Sequence, residues 1–322
     1  MKPATLQLKN DSGICCTLTN FGATLMRLQV PNREGIPTDV VIGFPNAEDY
    51  TIPAYQKLNF CLGATIGRYA GRISNGGFYL NNTFYPLEDT ITLHGGTEGF
   101  DKQFWKVEEV NEGLNPFVIF SLESRGGAQG FPGNLKVYAK YQLIDHALQI
   151  SYTASTDAPT VLNLTNHSYF NLDGTGSVAG NVLFVNAQQI LQTNEIVVPT
   201  GQFLSVKDTP YDYSKPATLD FQGHYGLDTP FVLKDGTVKA SLYSEKSGIQ
   251  MEVSTNQPAV VLFTPQDFPK MGLRNQAGFG HFPAICFECQ NYPDAPNQQH
   301  FPSAILLPGE AYRNEITYSF SK

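Results

Sequence analysis

The sequence is short of charge. Only 16% of its 322 residues are Asp, Glu, Lys or Arg, and 29 acidic against 21 basic side chains leave a formal charge of −8. An acidic chain without a Lys/Arg run offers no surface for tracking phosphates, which argues against nucleic acid as a partner. No apolar run approaches the roughly eighteen residues of a membrane span, and the start, MKPATLQLKNDSG, has no apolar signal core. A cytoplasmic protein with no membrane partner is therefore expected. Cysteine is scarce and odd in number: Cys15, Cys16, Cys61, Cys286 and Cys289, so no disulfide framework is implied. Cys286 and Cys289 form a CxxC, but the surrounding PAICFECQNY reads as a strand. Side chains three apart on a strand face opposite ways, about 10 Å apart along the chain, too far to bridge. No second CxxC or paired His completes a zinc site. A GxSxG elbow, an HExxH helix and a calcium loop are also missing, and GATIGRYAGRISNGG is not a nucleotide loop. No metal or cofactor is expected.

Glycine and proline are plentiful instead, 29 and 21 in number, spread from end to end between short runs rich in Val, Ile, Phe, Tyr and Thr. That is the texture of an all-β protein. Alternation is clearest in LKVYAKYQLIDHALQISYTAST, which predicts a hairpin turning at Asp145 and His146. A second hairpin is predicted at FYLNNTFYPL, because Asn81 and Asn82 both tolerate the positive φ of a tight turn. Short helical turns are expected near residues 46–50 and around Asp212. With no repeat and no linker, the reading is one domain over residues 1–322, built from many short antiparallel strands in two large packed sheets.

Four segments carry candidate chemistry. VLNLTNHSYFNL, residues 161–172, reads as a strand with Leu162 and Leu164 on one face and Asn163, Thr165, His167 and Tyr169 on the other. Solvated outer faces normally carry Lys, Glu or Arg, and this segment has none, so His167 is a candidate for binding or catalysis. Ser168 points the other way, which excludes a serine triad with His167. Glu288, flanked by Cys286, Phe287 and Cys289, is expected to be partly desolvated, which raises its pKa and keeps it usable as a proton acceptor. His94 precedes two glycines in TLHGGTEGF, where backbone can approach a ligand closely. Arg68 and Arg72 lie on a glycine-bounded loop that suits polyol or anion contacts equally.

NFGATLMRLQVP, GRYAGRI, LHGGTEGFDKQFW, NLTNHSYFNL, TPYDY, GLDTPFVL, CFECQNYPDAPNQ and ILLPGEAY, in this order, resemble the aldose 1-epimerase family over nearly the whole chain. The resemblance implies a β-supersandwich, the galactose mutarotase-like fold, and cofactor-free interconversion of the α and β anomers of free aldohexoses. Residue by residue, it implies that Glu288 of FECQNYPD is the general base and His167 of NHSYFNL the general acid. An imidazole beside a carboxylate is expected to stay protonated near neutrality. His94, Arg72 of GRYAGRI and Asp228 of GLDTPF match sugar-hydroxyl ligands, and Tyr169 is placed with them as a substrate contact. The choice of Arg72 over Arg68, and Asp228 altogether, rest on the resemblance. Three departures bear on sugar preference: Gly71 where many relatives have Asn, Val261 where some have Gln, and Thr229 where His is frequent. The partner implied is a small monosaccharide, and the protein itself is a monomer or homodimer. Alternatives are an epimerase for a phosphorylated or other specialised sugar and a non-catalytic sugar-binding protein on the same fold.

Overall fold

The structure, a computed structural model, describes residues 2–221, 226–275 and 278–322. It is all-β, and the two hairpins expected from alternation are present. Strands Leu135–Ile144 and Ala147–Thr156 pair from Ile144 opposite Ala147 to Leu135 opposite Thr156, turning at Asp145 with φ +48°. Strands Gly77–Leu80 and Thr83–Pro86 are joined by Asn81 and Asn82 at φ +50° and +62°. Residues Ala47–Thr51 form the expected short 3-10 turn, followed by a one-turn helix at Pro53–Gln56. The second expected helical turn is absent: Asp212 instead accepts hydrogen bonds from the Ser214 N–H and hydroxyl. An Asp side chain that binds backbone two residues on favours a turn over a helix. Among the described residues, no helix is long and apolar enough to cross a membrane.

Two large antiparallel sheets face one another. The nine-stranded sheet is centred on Leu135–Ile144, Ala147–Thr156 and Tyr312–Ser321. The six-stranded sheet runs, in spatial order, Tyr169–Phe170, Ile285–Gln290, Ala259–Phe263, Asp228–Leu233, Ala187–Thr193 and Pro199–Ser205. One face of this second sheet, bearing Phe170, Phe231, Val260, Leu262, Ile285, Phe287 and Cys289, joins Tyr141, Ile150, Tyr152, Ile316 and Tyr318 of the first in a single buried cluster. Phe170 and Tyr318 meet at 4.7 Å between ring centroids, and the Tyr318 hydroxyl donates to the Phe287 carbonyl across 3.3 Å. Burial of this interface, at about 25 cal/mol per Å² of apolar area, is what holds the sheets together. The other face of the six-stranded sheet carries the site, next to a second buried cluster that includes Tyr169 and Cys286.

Residues 161–172 are not the single strand that alternation implies. Thr160–Val161 pairs with Ile305–Leu306, Thr165–Asn166 with Thr65–Ile66, and Tyr169–Phe170 with Ile285–Cys286. The polar side chains between these pieces staple neighbouring segments. Asn163 Nδ2 donates to the carbonyls of Ala70 and Asn291 at 3.0 and 3.1 Å. Thr165 Oγ1 donates to Cys289 O at 2.9 Å, and Asn166 Nδ2 to Gly63 O at 3.0 Å. This is why the segment carries no charge: it is buried throughout, and its amides and hydroxyls hold the strands that surround the site.

Candidate active site

Register across the six-stranded sheet arranges this second face in rows. Tyr169, Cys286, Phe263 and Asp228 stand side by side on four adjacent strands, and Glu288, Val261 and Pro230 form the next row. A strand period of two puts Cys286, Glu288 and Gln290 on this face and Phe287 and Cys289 in the core. All six residues of Ile285–Gln290 are buried, because both faces are covered. The two cysteines of the CxxC thus face opposite ways, and all five cysteines are free.

Above this floor lies a cavity of about 210 Å³ whose lining includes Arg72, His94, His167, Tyr169, Asp228 and Glu288. The structure therefore gathers around one cavity the six residues to which the resemblance and the sequence reading gave catalytic or sugar-binding roles. Arg68 goes elsewhere: its guanidinium is buried and donates to the carbonyls of Ser124, Arg125, Pro132 and Gly133.

His167 and Glu288 are 5% and 4% exposed, and Nε2 of one lies 3.5 Å from Oε1 of the other. Burial pushes the Glu288 carboxyl up to about 8, with Asp228 adding to the rise and Arg72 opposing it. Burial pushes the His167 imidazole down to about 4. The expectation that the neighbouring carboxylate keeps His167 protonated near neutrality is thus corrected: burial lowers the ring's proton affinity and also holds Glu288 itself protonated. Together the two groups hold one proton between these limits. Cys286 Sγ lies 3.6 Å from His167 Nδ1, and burial and Glu288 keep this thiol protonated. A neutral thiol donates to a bare ring nitrogen or accepts from a protonated one, so it accommodates either tautomer.

His94 stands at φ +55° in the turn after the strand Thr92–Leu93, with its ring edge-on to His167 at 5.4 Å. Its N–H donates to Gly71 O at 3.0 Å, and the Gly71 N–H donates to its Nδ1 at 3.2 Å. Burial, His167 and Arg72 keep the ring neutral. With Nδ1 accepting, Nε2 carries the hydrogen and is a donor. His94, His167 and Glu288 place ligand-type atoms within 4.8 Å of one another, but a protonated Nε2 suits a hydroxyl oxygen and has no lone pair for a metal. The glycine after His94 serves the fold: a Cβ on Gly95 would sit 2.2 Å from Gly67 O, so the close approach is to backbone.

Arg72 Nη2 and Asp228 Oδ2 face each other at 3.6 Å. Burial raises the Asp228 carboxyl and Arg72 pulls it back. Tyr169 lies beneath His167, stacked at 5.0 Å, but its hydroxyl donates to Phe60 O at 2.8 Å. Its polar end is thus committed, and its ring holds the imidazole in place. Sequence reasoning did not pick out Cys286, Gln290 or Pro230. The period of two from Glu288 signals the first two; Pro230 is placed only by sheet register.

Residues 4–319 match the family model for aldose 1-epimerase. The chain belongs to the aldose 1-epimerase family. It is 37% identical to the galactose mutarotase of Bos taurus, over 98% of this chain and 93% of that one. It is 33% identical to the aldose 1-epimerase of Escherichia coli K12, over 98% and 94%. Among solved structures it is similar to a GalM/aldose epimerase homologue from C. elegans, with a TM-score of 0.91 at 31% identity over 99% of both chains. A galactose 1-epimerase from Lactobacillus acidophilus NCFM aligns with a TM-score of 0.84 at 27% identity, over 100% of this chain and 99% of that one.

Proposed function

We propose that this protein interconverts the α and β anomers of free aldohexoses such as glucose and galactose, opening and reclosing the pyranose ring by acid and base groups of its own. The observation that carries the reading is the Glu288–His167 pair, 3.5 Å apart and buried at the floor of a sugar-sized cavity. Ring opening removes the proton of the C1 hydroxyl and delivers one to the ring oxygen, so it needs one base and one acid on either side of the anomeric carbon. Opposite pKa shifts leave this pair a single proton, which is the inventory the reaction requires. At rest that proton lies on Glu288. Its shift across the 3.5 Å gap to His167 gives the reacting form, in which Glu288 takes the C1 hydroxyl proton as the C1–O5 bond breaks and His167 Nε2 protonates O5. Rotation about C1–C2 presents the other face of the aldehyde. O5 then attacks C1, returns its proton to His167, and Glu288 protonates the carbonyl oxygen. Each transfer contributes about 10²–10⁴-fold.

His94, through its Nε2–H, and the Arg72–Asp228 pair would hold the remaining hydroxyls. A free sugar is favoured over a phosphorylated one because Arg72 is the sole Lys or Arg among the described lining residues, and it faces Asp228 and stands near Glu288. The reading treats residues 1–322 as one domain, since site residues come from segments as distant as Leu58 and Pro293. Five free thiols suit a reducing, cytoplasmic setting. The test is saturation transfer between the anomeric proton signals of glucose and of galactose: transfer that rises with protein concentration supports the reading, and transfer unchanged by protein overturns it.

A further inference from the structure

Gln290 is wholly buried yet lines the cavity, and its Oε1 has no hydrogen-bond partner in the protein. Its amide orientation is fixed by its surroundings. Nε2 lies 3.4 Å from Ala70 O and 3.2 Å from Asn291 O, two acceptors that an oxygen in its place would repel. Of the buried side-chain oxygens and nitrogens without a partner among the described residues, this is the one whose residue lines the candidate site. Leaving such an acceptor unmatched is unfavourable, and a bound hydroxyl would remove that cost. Gly71 keeps this corner open: a Cβ there would lie 2.9 Å from Pro293 Cβ and 3.2 Å from Gln290 Nε2. Gln290 is also the sole buried side-chain amide among the described lining residues, since Val261 stands on the next strand and Asn59 is exposed.

We infer that Gln290 is a specificity-determining residue whose Oε1 accepts a hydrogen bond from a sugar hydroxyl on the side of the ring away from the anomeric carbon. Gln290 follows Glu288 by two residues on one strand, which separates their side chains by about 7 Å on the same face. From a carboxylate at the C1 hydroxyl, that span crosses a pyranose ring to the hydroxyls on C3 and C4. The substrate class is therefore an aldopyranose with a free hydroxyl at one of these carbons. This inference rests on the anomer-interconversion reading above.

The test compares wild type with Gln290→Met on glucose and galactose and on their 3-deoxy and 4-deoxy derivatives, following anomer interconversion. Ala70 O and Asn291 O keep the Asn163 amide as a donor, so the variant is expected to fold. On the parent sugar it should raise KM about 3- to 10-fold, the worth of one hydrogen bond, with kcat within about two-fold. On the deoxy sugar that lacks the hydroxyl in question, variant and wild type should have equal KM. An equal loss on every sugar, which a purely structural role would give, or no loss on any, overturns the inference. Wild-type protein that accelerates neither parent sugar overturns the reading beneath it as well. Should the variant not fold, a crystal structure of wild type with the preferred sugar decides: Oε1 within hydrogen-bond distance of O3 or O4 supports the inference, and any other arrangement contradicts it.

Discussion

Val261 stands directly across from Glu288 in the antiparallel pairing of Ala259–Phe263 with Ile285–Gln290. The carboxylate proposed to take the sugar's proton thus has a hydrocarbon neighbour on one side and His167 Nε2, at 3.5 Å, on another. Burial is the main cause of its raised proton affinity, with Asp228 adding to the rise and Arg72 opposing it. The pH behaviour of the site follows.

The rate should be bell-shaped in pH. Below about 4 both His167 and Glu288 hold protons, which leaves no base; above about 8 neither does, which leaves no acid. A profile of kcat/KM is expected to show limbs near these values. A rate that keeps rising well beyond the upper limb would assign the acid to another group.

Asp228 and Arg72 should move the upper limb in opposite directions. Asp228 raises the Glu288 carboxyl and Arg72 lowers it. Asp228→Asn is therefore expected to shift the alkaline limb of kcat/KM to lower pH and Arg72→Gln to higher pH, each alongside a raised KM. Parallel shifts would mean that the limb belongs to a different carboxyl.

Removing a proton-transfer group should act on kcat. Glu288→Gln and His167→Asn should each lower it by about 10²–10⁴-fold while sugar binding, read by calorimetry, persists. His94→Asn should cost less in kcat and act chiefly on KM, because the proposed role of His94 is to donate to a hydroxyl and to move no proton.

Glu288→Gln should also change stability in a pH-dependent way. The folded state binds the Glu288 proton up to about 8, whereas a free carboxyl releases it near 4.5. Between these values the folded state holds more protons, so this group's contribution to stability falls as pH rises. The amide has no such loss. Denaturant unfolding is expected to show the variant gaining on wild type from pH 5 to pH 8, reaching about 1–4 kcal/mol. A difference that stays constant with pH would mean that the Glu288 carboxyl titrates alike in both states.

Hairpins and sheet strands were legible where one face met the core, because period-two alternation is then a direct record of burial. Leu135 to Thr156 is such a case. Residues 161–172 were not legible as structure, because their polar residues answer to three different partner strands, and an amide that staples backbone looks in sequence like an amide that binds ligand. Asn163 and Thr165 do the first, whereas His167 lines the cavity. Glu288 was legible as a carboxylate in apolar surroundings. Arg72 and Asp228 were not, beyond family resemblance: which of two nearby arginines reaches the cavity, and which acid lies opposite, depends on loop paths. Gln290 was missed because the strand that carries it is buried on both faces, so its burial pattern does not alternate.

The most direct measurement is polarimetric. Crystalline α-D-glucose and α-D-galactose are dissolved separately, and the drift of optical rotation is followed with no protein, with wild type and with Glu288→Gln. The account predicts that wild type brings at least one sugar to its final rotation well ahead of the spontaneous rate, and that Glu288→Gln, folded and able to bind sugar, returns the drift nearly to that rate. Wild-type protein that leaves both drifts unchanged, or a Glu288→Gln variant as fast as wild type, would contradict it.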